Sequence, residues 1–390
     1  MANVSSSNGL EKLPKLRFPG FDEPWKCSTL SQLFDYERPD KYIVSSENYA
    51  ANGNIPVLTA NQSFILGYTD DADGIYQKGE VIVFDDFTCD IKYANFPFKV
   101  KSSAIKLLTA HENMPIYFGY SLLRHINYKP MGHARHWISV LQSYMTSIPS
   151  LSEQQKISDF LRLIDQRIAY QTKYIETLKK YKRGLISDIL KQNLTVSHES
   201  EKWEEVSLND VADGFEYGMN AAATTFDGAH KYIRITDIDD DSHTYIDCDP
   251  VSPSGVLEEK YRVRDNDILF ARTGASVGKS YLYRKTDGDL FFAGFLIRIH
   301  VKDGIDSEYV FLNTLTEEYA KWVLLESARS GQPGINAEQY RRYRFKLPSL
   351  RIQKRIASIA QKLDSQIQRE SMCLHLLREQ KLGLLQQLFI

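Results

Sequence analysis

The sequence predicts an α+β protein in which two mixed α/β domains alternate with two long helices that form an antiparallel coiled coil. Three observations support this prediction. The chain repeats itself at an offset of 199 residues. Each copy of the repeat contains an apolar seam with coiled-coil spacing. The segment before each seam consists of short β-branched and aromatic runs broken by Gly, Asn and Asp, as in a series of strands and turns.

The repeat is clearest around two Pro-Ser-Leu triplets, because Pro149-Ser150-Leu151 falls on Pro348-Ser349-Leu350. Without a gap, positions 132–190 and 331–389 share 13 identities in 59. A repeat of this size organises the whole chain, so it is considered before any single motif. It predicts four segments, which are a first domain at 1–148, a first spacer helix at 149–192, a second domain at 193–347 and a second spacer helix at 348–390.

Each predicted helix carries an apolar seam with an average spacing of 3.5 residues. Steps of alternately four and three residues from Ile157 and from Ile356 give ten positions each, of which eight are apolar in each copy. The polar positions coincide, since Gln171 and Lys182 match Glu370 and Lys381. A single seam also fits a helix packed on its own domain, but two matching seams are natural partners for each other. The predicted coiled-coil interface consists of Ile157, Leu161, Ile164, Ile168, Ile175, Leu178, Ile356, Leu363, Ile367, Leu374 and Leu377.

The segments before the two helices correspond only loosely. Residues 24–30 resemble 202–208, residues 56–59 resemble 233–236, and residues 79–83 resemble 266–270. Between these matches the halves diverge in sequence and in length. Like helices joined to unlike domains indicate a protein that holds two different recognition domains at a fixed distance.

The composition is that of an ordinary globular protein. Of the 390 residues, 43% are hydrophobic and 25% are charged. The longest apolar run, 290–297, is far shorter than the roughly 18 residues of a membrane span. The polar stretch 1–15 lacks the apolar core of a signal peptide. We therefore expect a cytoplasmic protein with no membrane partner.

The cysteines and the charges limit which metal, disulfide and electrostatic sites the chain can have. None of the four cysteines belongs to a C-x-x-C pair, so we expect neither structural zinc nor a disulfide framework. The net charge of −2 hides strong local asymmetry. Positions 341–390 hold eleven Lys and Arg against three acids, whereas positions 237–249 hold six Asp and no basic residue. Such runs are either solvated faces or electrostatic contacts.

No catalytic pattern is complete. Thr273-Gly274-Ala275-Ser276-Val277-Gly278-Lys279-Ser280 approaches a phosphate-binding P-loop, but Thr273 replaces the first glycine and a strand is predicted to follow. Methyltransferase cofactor and Asn/Asp-Pro-Pro motifs are absent from the sequence. Pro39-Asp40 and Asp90-x-Lys92 would suit a nuclease but lie about fifty residues apart. We expect no catalytic residues and no metal site, with an enzyme of unrecognised motifs as a further alternative.

Three sets of motifs accompany this organisation. They are Pro14-Lys15-Leu16-Arg17-Phe18-Pro19-Gly20-Phe21 with Trp25, Pro-Ser-Leu-x-x-Gln-x-x-Ile at 149–157 and 348–356, and Lys-x-Gly-Leu at 182–185 and 381–384. In these motifs and in its organisation the chain resembles the specificity subunit of Type I restriction-modification enzymes. The stretch 274–279 also resembles a recurrent loop of the family's target recognition domains. The resemblance covers essentially the whole chain.

The resemblance implies that each variable domain is a target recognition domain that reads one half of a split, asymmetric site in double-stranded DNA. The helices would act as a ruler and dock two methyltransferase subunits, which nuclease/translocase subunits would join. S-adenosylmethionine, ATP and magnesium would then bind those partners, and this chain would bind no cofactor. The alternative is a coiled-coil protein-interaction scaffold with two ligand-binding modules that do not bind DNA.

Base reading requires Arg, Lys, Asn and Gln side chains on loops, with phosphate contacts that set the register. A basic-aromatic cluster at 341–346 also predicts a strand with Tyr343 and Phe345 inward and the basic side chains outward. Lys179, Lys180, Lys182 and Arg183 form a candidate basic surface for partner docking. The candidate DNA-binding residues are Asn61, Gln62, Lys92, Tyr93, Arg135, His136, Arg234, Arg272, Ser276, Lys279, Gln332 and Asn336.

Overall fold

The computed structural model of this chain describes residues 13–60, 63–111, 113–130, 135–196, 201–328 and 332–390. These residues form two compact units. The first comprises Met1–Lys173 and Ser371–Ile390, and the second comprises Tyr174–Glu370. Each of the two long helices contributes one part to each unit. None of the helices among the described residues is both long enough and apolar enough to cross a membrane.

The described residues of the first unit form nine strands, three short α-helices and parts of the two long helices. The first long helix, α4, covers Leu151–Leu190, and it begins two residues after Pro149. The elements are β1 (Lys26–Thr29), α1 (Leu30–Leu33), β2 (Phe34–Glu37), β3 (Ile55–Leu58), β4 (Ile65–Thr69), β5 (Val81–Asp85), β6 (Ile91–Ala94), β7 (Lys99–Val100), β8 (Ile105–Ala110), α2 (Ile116–Ile126), α3 (His136–Ser139) and β9 (Met145–Ile148).

In the part of the second unit that the structure describes there are ten strands, four shorter α-helices and the remaining parts of the long helices. The second long helix, α9, covers Leu350–Leu388 and likewise follows a proline, Pro348. The other elements are β10 (Glu204–Ser207), α5 (Leu208–Val211), β11 (Ala212–Tyr217), β12 (Ala223–Thr225), β13 (Lys231–Ile233), β14 (Val251–Pro253), β15 (Asp267–Ala271), β16 (Ser280–Leu282), β17 (Leu290–Phe292), β18 (Leu296–Val301), α6 (Ser307–Asn313), α7 (Glu317–Glu326), α8 (Ala337–Arg341) and β19 (Arg344–Leu347).

The two units share one topology. The first contains an antiparallel four-stranded sheet in the order β2-β8-β5-β6, and the second contains its counterpart in the order β11-β18-β15-β16. In each unit the strand before the long helix pairs with the first strand, as β1-β9 and as β10-β19. In each unit a parallel pair also forms, between β3 and β7 and between β13 and β17. The repeat predicted from the sequence is therefore a repeat of the fold.

Both domains have the same capping motif at the start of their first short helix. The backbone N–H of Thr29 donates to Gln32 Oε1 at 2.9 Å, and that of Ser207 donates to Asp210 Oδ2 at 2.8 Å. Both pairs form a capping box, which satisfies donors that a helix start leaves free. Helices α1 and α5 therefore begin at positions 178 residues apart.

The central strands β5 and β15 are buried on both faces, so every residue of each is buried. In β5, Ile82 and Phe84 face the cluster that includes α2, whereas Val81 and Val83 face a second cluster. In β15, Ile268 faces the cluster that includes α6. Ile82 is thus the counterpart of Ile268, and the sequence match of 79–83 with 266–270 is wrong by one residue. A shift of one residue in the alignment exchanges the two faces of a strand. A strand that is buried on both faces has no alternation of apolar and polar residues, so its sequence does not show the shift.

The long helices pair antiparallel within each unit, as predicted. In the second unit Tyr174 receives a hydrogen bond from Gln366, Lys182 binds Asp364, and Ile189 shares a hydrophobic cluster with Ile356. As the residue numbers along α4 increase, the residue numbers of their partners on α9 decrease, so the two helices are antiparallel. In the first unit Asp165 accepts from Lys381, and Ile157 and Leu161 share a cluster with Leu385 and Leu388.

Candidate nucleic-acid interface

A cleft of about 770 Å³ lies in the second unit where the ends of several strands meet. It brings together Arg234, Arg272 and Gln332, three predicted DNA-binding residues from separate segments of the chain. No Asp or Glu is among the described residues that line it. We call it the Arg272 cleft, and its lining comprises Tyr217, Gly218, Met219, Asn220, Ala221, Ala223, Tyr232, Arg234, Ile235, Thr236, Arg272, Thr273, Ala293, Gly294, Phe295 and Gln332.

One wall of the Arg272 cleft depends on a close approach between the end of β11 and the β17–β18 turn. The backbone N–H of Met219 donates to Phe292 O at 2.9 Å, and that of Gly294 donates to Met219 O at 2.8 Å. A Cβ on Gly218 would lie 2.2 Å from Ala293 O. Only glycine therefore allows the two backbones to meet here.

Arg272 is the first residue after β15, and its backbone is fixed on both sides. Its N–H donates to Phe295 O at 3.0 Å, and its carbonyl accepts from the Ile335 N–H at 2.9 Å. Its guanidinium lies 4.9 Å from the centre of the Tyr217 ring. The Tyr217 hydroxyl in turn accepts from the Ala337 N–H at 3.2 Å. The side chain is thus held from both ends.

Arg234 has a different local role. Its guanidinium donates to both carboxylate oxygens of Asp237, at 2.8 and 2.7 Å, and this hydrogen bonding raises the pKa of Arg234. The same carboxylate accepts from the Arg234 backbone N–H at 2.8 Å. Arg234 therefore brings positive charge to the cleft, although Asp237 occupies part of its guanidinium.

The stretch 273–279 forms the turn between β15 and β16. Gly274 and Gly278 have φ angles of 80° and 87°, which favour glycine. A strand follows the turn, as predicted, whereas a P-loop requires a helix. Ser276 is half-buried in this turn. Lys279 donates to Ile238 O at 2.9 Å and pairs with Asp240, so only 10% of its side chain is exposed.

The remaining candidate DNA-binding residues that the structure describes do not line the Arg272 cleft. Asn336 is exposed, but its side chain accepts from the Gln339 N–H at 2.9 Å and caps α8. Arg135 is exposed immediately before α3, and the His136 that follows is buried. Asn61 and Gln62 lie outside the described residues.

Lys92 and Tyr93 lie on β6 in the first unit. Lys92 is half-buried. The Tyr93 ring packs 4.9 Å from the Tyr117 ring and 5.7 Å from the Arg162 guanidinium of α4. Burial raises the pKa of the Tyr93 hydroxyl, which stays protonated. Tyr93 thus packs against α2 and α4.

The two exposed aromatic residues that line the cleft, Tyr217 and Phe295, were not predicted from the sequence. Phe295 lies within the apolar run 290–297, which reads as a core strand, yet 64% of it is exposed. The glycine at 294 was the available signal, because it marks a turn that can expose the next side chain. Tyr217 ends a strand and carried no distinguishing pattern.

The basic surface on α4 is largely paired. Lys179 binds Asp241 at 2.5 Å, Arg183 lies 4.0 Å from the same carboxylate, and Lys182 binds Asp364 at 2.5 Å. Lys180 is exposed. Tyr343, which immediately precedes β19, and Phe345 within it flank the exposed Arg344, and both are buried, as predicted. Arg341 belongs to α8 and not to the strand.

The eleven predicted interface residues are buried or half-buried, and none is exposed. Among the residues that the structure describes, no group of three or more His, Cys, Asp or Glu is placed to hold a metal ion. The four cysteines are free thiols.

The two domains differ at equivalent places. Asp86 follows β5 as Arg272 follows β15. The Asp86 carbonyl accepts from the His136 N–H at 2.9 Å, just as the Arg272 carbonyl accepts from the Ile335 N–H. One backbone position therefore carries a carboxylate in the first domain and a guanidinium in the second.

Comparison with known proteins agrees with this duplicated architecture. The specificity subunit of the Type I restriction enzyme EcoR124I/EcoR124II from Escherichia coli is 35% identical over 195 residues, which is 46% of this chain and 46% of that protein. The chain thus spans about half the length of the curated relative that it matches.

Two solved structures share the fold. The crystal structure of the S subunit of a Type I restriction-modification system from M. genitalium has a TM-score of 0.61 and 15% identity, over 97% of this chain and 99% of that one. A chain from a study of complex assembly and conformational transition of the type I R-M system has a TM-score of 0.52 and 15% identity, over 93% and 98%.

A family model matches both halves of the chain. The model of the Type I restriction modification DNA specificity domain matches twice, at residues 22–180 and 200–372. These two matches cover most of the chain, and each includes one of the two topologically equivalent domains. The chain therefore belongs to the family of Type I restriction-modification DNA specificity proteins.

Proposed function

We propose that this chain is the DNA sequence-reading subunit of a Type I restriction-modification complex. In this proposal each domain is a target recognition domain and contacts one half of a bipartite, asymmetric site in double-stranded DNA. The proposed boundaries are 1–148 and 193–347 for the domains, with the spacer helices at 149–192 and 348–390. Family membership and the duplicated fold support it.

The observation that carries the proposal is the difference between Asp86 and Arg272 on a shared scaffold. Where two domains bind the same ligand, equivalent positions at the site are expected to keep the same charge. Here the second domain has a cleft with two arginines and no described acid in its lining, and the first has a buried carboxylate at the equivalent position. Two like scaffolds with unlike residues at equivalent positions suit a site whose halves differ in sequence.

The proposed partners are two methyltransferase subunits and nuclease/translocase subunits. Several large side chains on the long helices are exposed and suit protein contacts, among them Leu163 at 64%, Tyr170 at 74% and Leu376 at 60% exposure. S-adenosylmethionine, ATP and magnesium belong to the partners in this proposal. This chain is non-catalytic and acts in the cytoplasm.

The test is DNA binding as a function of salt, measured with the chain in complex with its methyltransferase subunits. We expect binding of duplex DNA to weaken steeply and log-linearly between about 50 and 200 mM salt, because phosphate contacts release counterions. We also expect the complex to methylate a bipartite motif. A complex that assembles but neither binds DNA nor methylates it would favour the protein-interaction scaffold. Methylation or cleavage by the purified chain alone would favour an enzyme.

A further inference from the structure

We propose that Arg272 reads one guanine in the DNA half-site of the second domain. The inference rests on the proposed function, and it deepens that function by naming one residue and the base that it selects. Four observations support it. They are the free guanidinium of Arg272, the fixed position of that guanidinium, the chemistry of the cleft and the partial burial of Arg272.

The first observation is that Arg272 has its donors free while the neighbouring arginines do not. Among the described residues, Arg262 is held by Glu259 and Asp289, Arg284 by Glu308, and Arg298 by Glu216 and Asp267. Arg234 is held by Asp237. Arg272 makes no ion pair or side-chain hydrogen bond with any residue that the structure describes. Its guanidinium makes a cation–π contact with the Tyr217 ring.

The second observation is that this free guanidinium is held in place. Its backbone bonds to Phe295 and Ile335 fix the start of the side chain, and the Tyr217 ring supports its end. Ordering a long side chain on binding costs about 0.5–1.5 kcal/mol, so a side chain that is already ordered binds at lower cost. A group that distinguishes one base from another needs this fixed position, whereas a contact with a phosphate tolerates movement.

The third observation is the chemistry around the guanidinium. The N–H donors of a guanidinium form a planar fork, so a ring against one face leaves the in-plane donors available. That fork matches guanine, which presents O6 and N7 as two adjacent acceptors in the major groove, and this is the commonest specific contact of arginine with DNA. No described acid lines the cleft to compete for these donors. The exposed ring of Phe295 and the amide of Gln332 line the same cleft as the guanidinium.

The fourth observation is that Arg272 is recessed. It is half-buried in a cleft of about 770 Å³, not displayed on a convex surface. The walls of the cleft restrict the directions from which an acceptor can approach the guanidinium. This restriction suits a partner of fixed geometry, such as the adjacent O6 and N7 acceptors of guanine, better than a phosphate, which can be bound from many directions.

The experiment compares methylation motifs of complexes that contain the full chain and its methyltransferase subunits. The variants are Arg272→Lys, which keeps the charge and loses the fork, and Arg272→Gln, which loses both. The matched control is Arg264→Gln, because Arg264 is 61% exposed in the same domain and lies outside the cleft. Methylated positions are mapped by sequencing, and methylation rates are measured on duplexes that carry each of the four bases at every position of the half-site. Thermal unfolding shows that each variant is folded.

We expect the wild-type motif to contain a guanine whose selection falls about 5- to 150-fold in both Arg272 variants, with every other position unchanged. Arg264→Gln should keep the wild-type motif. An equal loss of methylation on all duplexes, with the motif unchanged, would identify Arg272 as a phosphate contact and overturn the inference. Loss of all methylation in both folded variants, or an unchanged motif at an unchanged rate, would overturn it as well. A wild-type complex that methylates no bipartite motif would instead overturn the proposed function.

Discussion

At the residue scale, the first domain contains a buried ion pair between Asp86 and Lys106. Asp86 occupies the position that Arg272 occupies in the second domain. Asp86 is completely buried, and its Oδ1 accepts from the Trp137 N–H at 2.9 Å. Lys106, 3% exposed, lies with its Nζ 3.5 Å from Asp86 Oδ2. Because the backbone of Asp86 also binds the start of α3, this pair orders the segment that contains Arg135 and His136.

We therefore predict that Lys106→Met lowers the free energy of unfolding of the first domain by about 3–5 kcal/mol, since it leaves a buried carboxylate without its counter-charge. Chemical denaturation followed by circular dichroism measures the effect. The double variant Lys106→Met with Asp86→Asn should recover a large part of the loss, because the unpaired charge is removed as well.

The matched control is Lys101→Met, which changes an exposed lysine in the same region and should shift stability by less than about 0.5 kcal/mol. Equal denaturation midpoints for Lys106→Met and Lys101→Met would contradict the structural role of the pair.

At the residue scale, the sequence could supply candidates by residue type, but it could not show which candidates meet when they come from distant segments. Arg234, Arg272 and Gln332 were chosen as forked donors on loops, but nothing in their spacing showed that they share a cleft. The hydrogen bond that the Asn336 side chain accepts from the Gln339 N–H was not predictable either, because a capping role depends on where α8 begins. Phe295 was missed, since exposure is a property of the turn that presents it.

At the scale of elements, the long helices were predictable because coiled-coil spacing is a local pattern. Their starts follow from the two prolines, and their pairing follows from matched seams. The strands were harder to place. Residues 79–83 were matched one residue out of register, because burial on both faces removes the alternation that fixes the register of a strand.

The polar positions of the seams explain a feature of the helix pair that the apolar positions do not. Lys182 binds Asp364 at 2.5 and 2.7 Å, and Lys381 binds Asp165 at 2.5 and 2.7 Å. Each pair is the repeat-related copy of the other, at an offset of 199 residues. Apolar seams tolerate a shift by one heptad, whereas a lysine that must meet an aspartate does not, so these pairs specify the register.

We predict that Lys182→Glu lowers the melting temperature by about 2–4 °C, because it replaces an attraction of about 1 kcal/mol, reduced by the partial exposure of Asp364, with a repulsion. Adding Asp364→Lys should restore the melting temperature to near the wild-type value. Lys180→Glu makes the same charge change at an exposed position of the same helix and should have little effect. If the double variant melts no higher than Lys182→Glu alone, the two residues do not act as a pair.

At the scale of the whole molecule, the duplication was predictable and the charge distribution was only partly so. The acidic run 237–249 is not a free acidic face. Lys179, Lys279 and Lys231 pair with its carboxylates at Asp241, Asp240 and Asp247. These basic residues come from α4, from the turn after β15 and from β13, so the local neutralisation could not be read from a run of like charges.

The whole-molecule prediction concerns an exchange of the first domain. We replace residues 1–148 with the corresponding segment of another family member and keep both long helices. We expect only one half of the methylated motif to change, because the second unit contains every residue of the Arg272 cleft. Sequencing of methylated DNA from cells with and without the exchanged subunit measures the motif.

The exchange has a physical condition that guides the choice of donor. In the first unit Ile157 and Leu161 of α4, with Leu385 and Leu388 of α9, complete the core that contains Phe84 and Trp137. A donor segment must present an apolar face of similar volume to these helix residues, since gaps and overpacking in a core each cost about 1–5 kcal/mol. The reciprocal exchange of residues 193–347 serves as the control and should change the other half. A single exchange that altered both halves would show that the two domains do not read DNA independently, and the two-reader proposal would have to be abandoned.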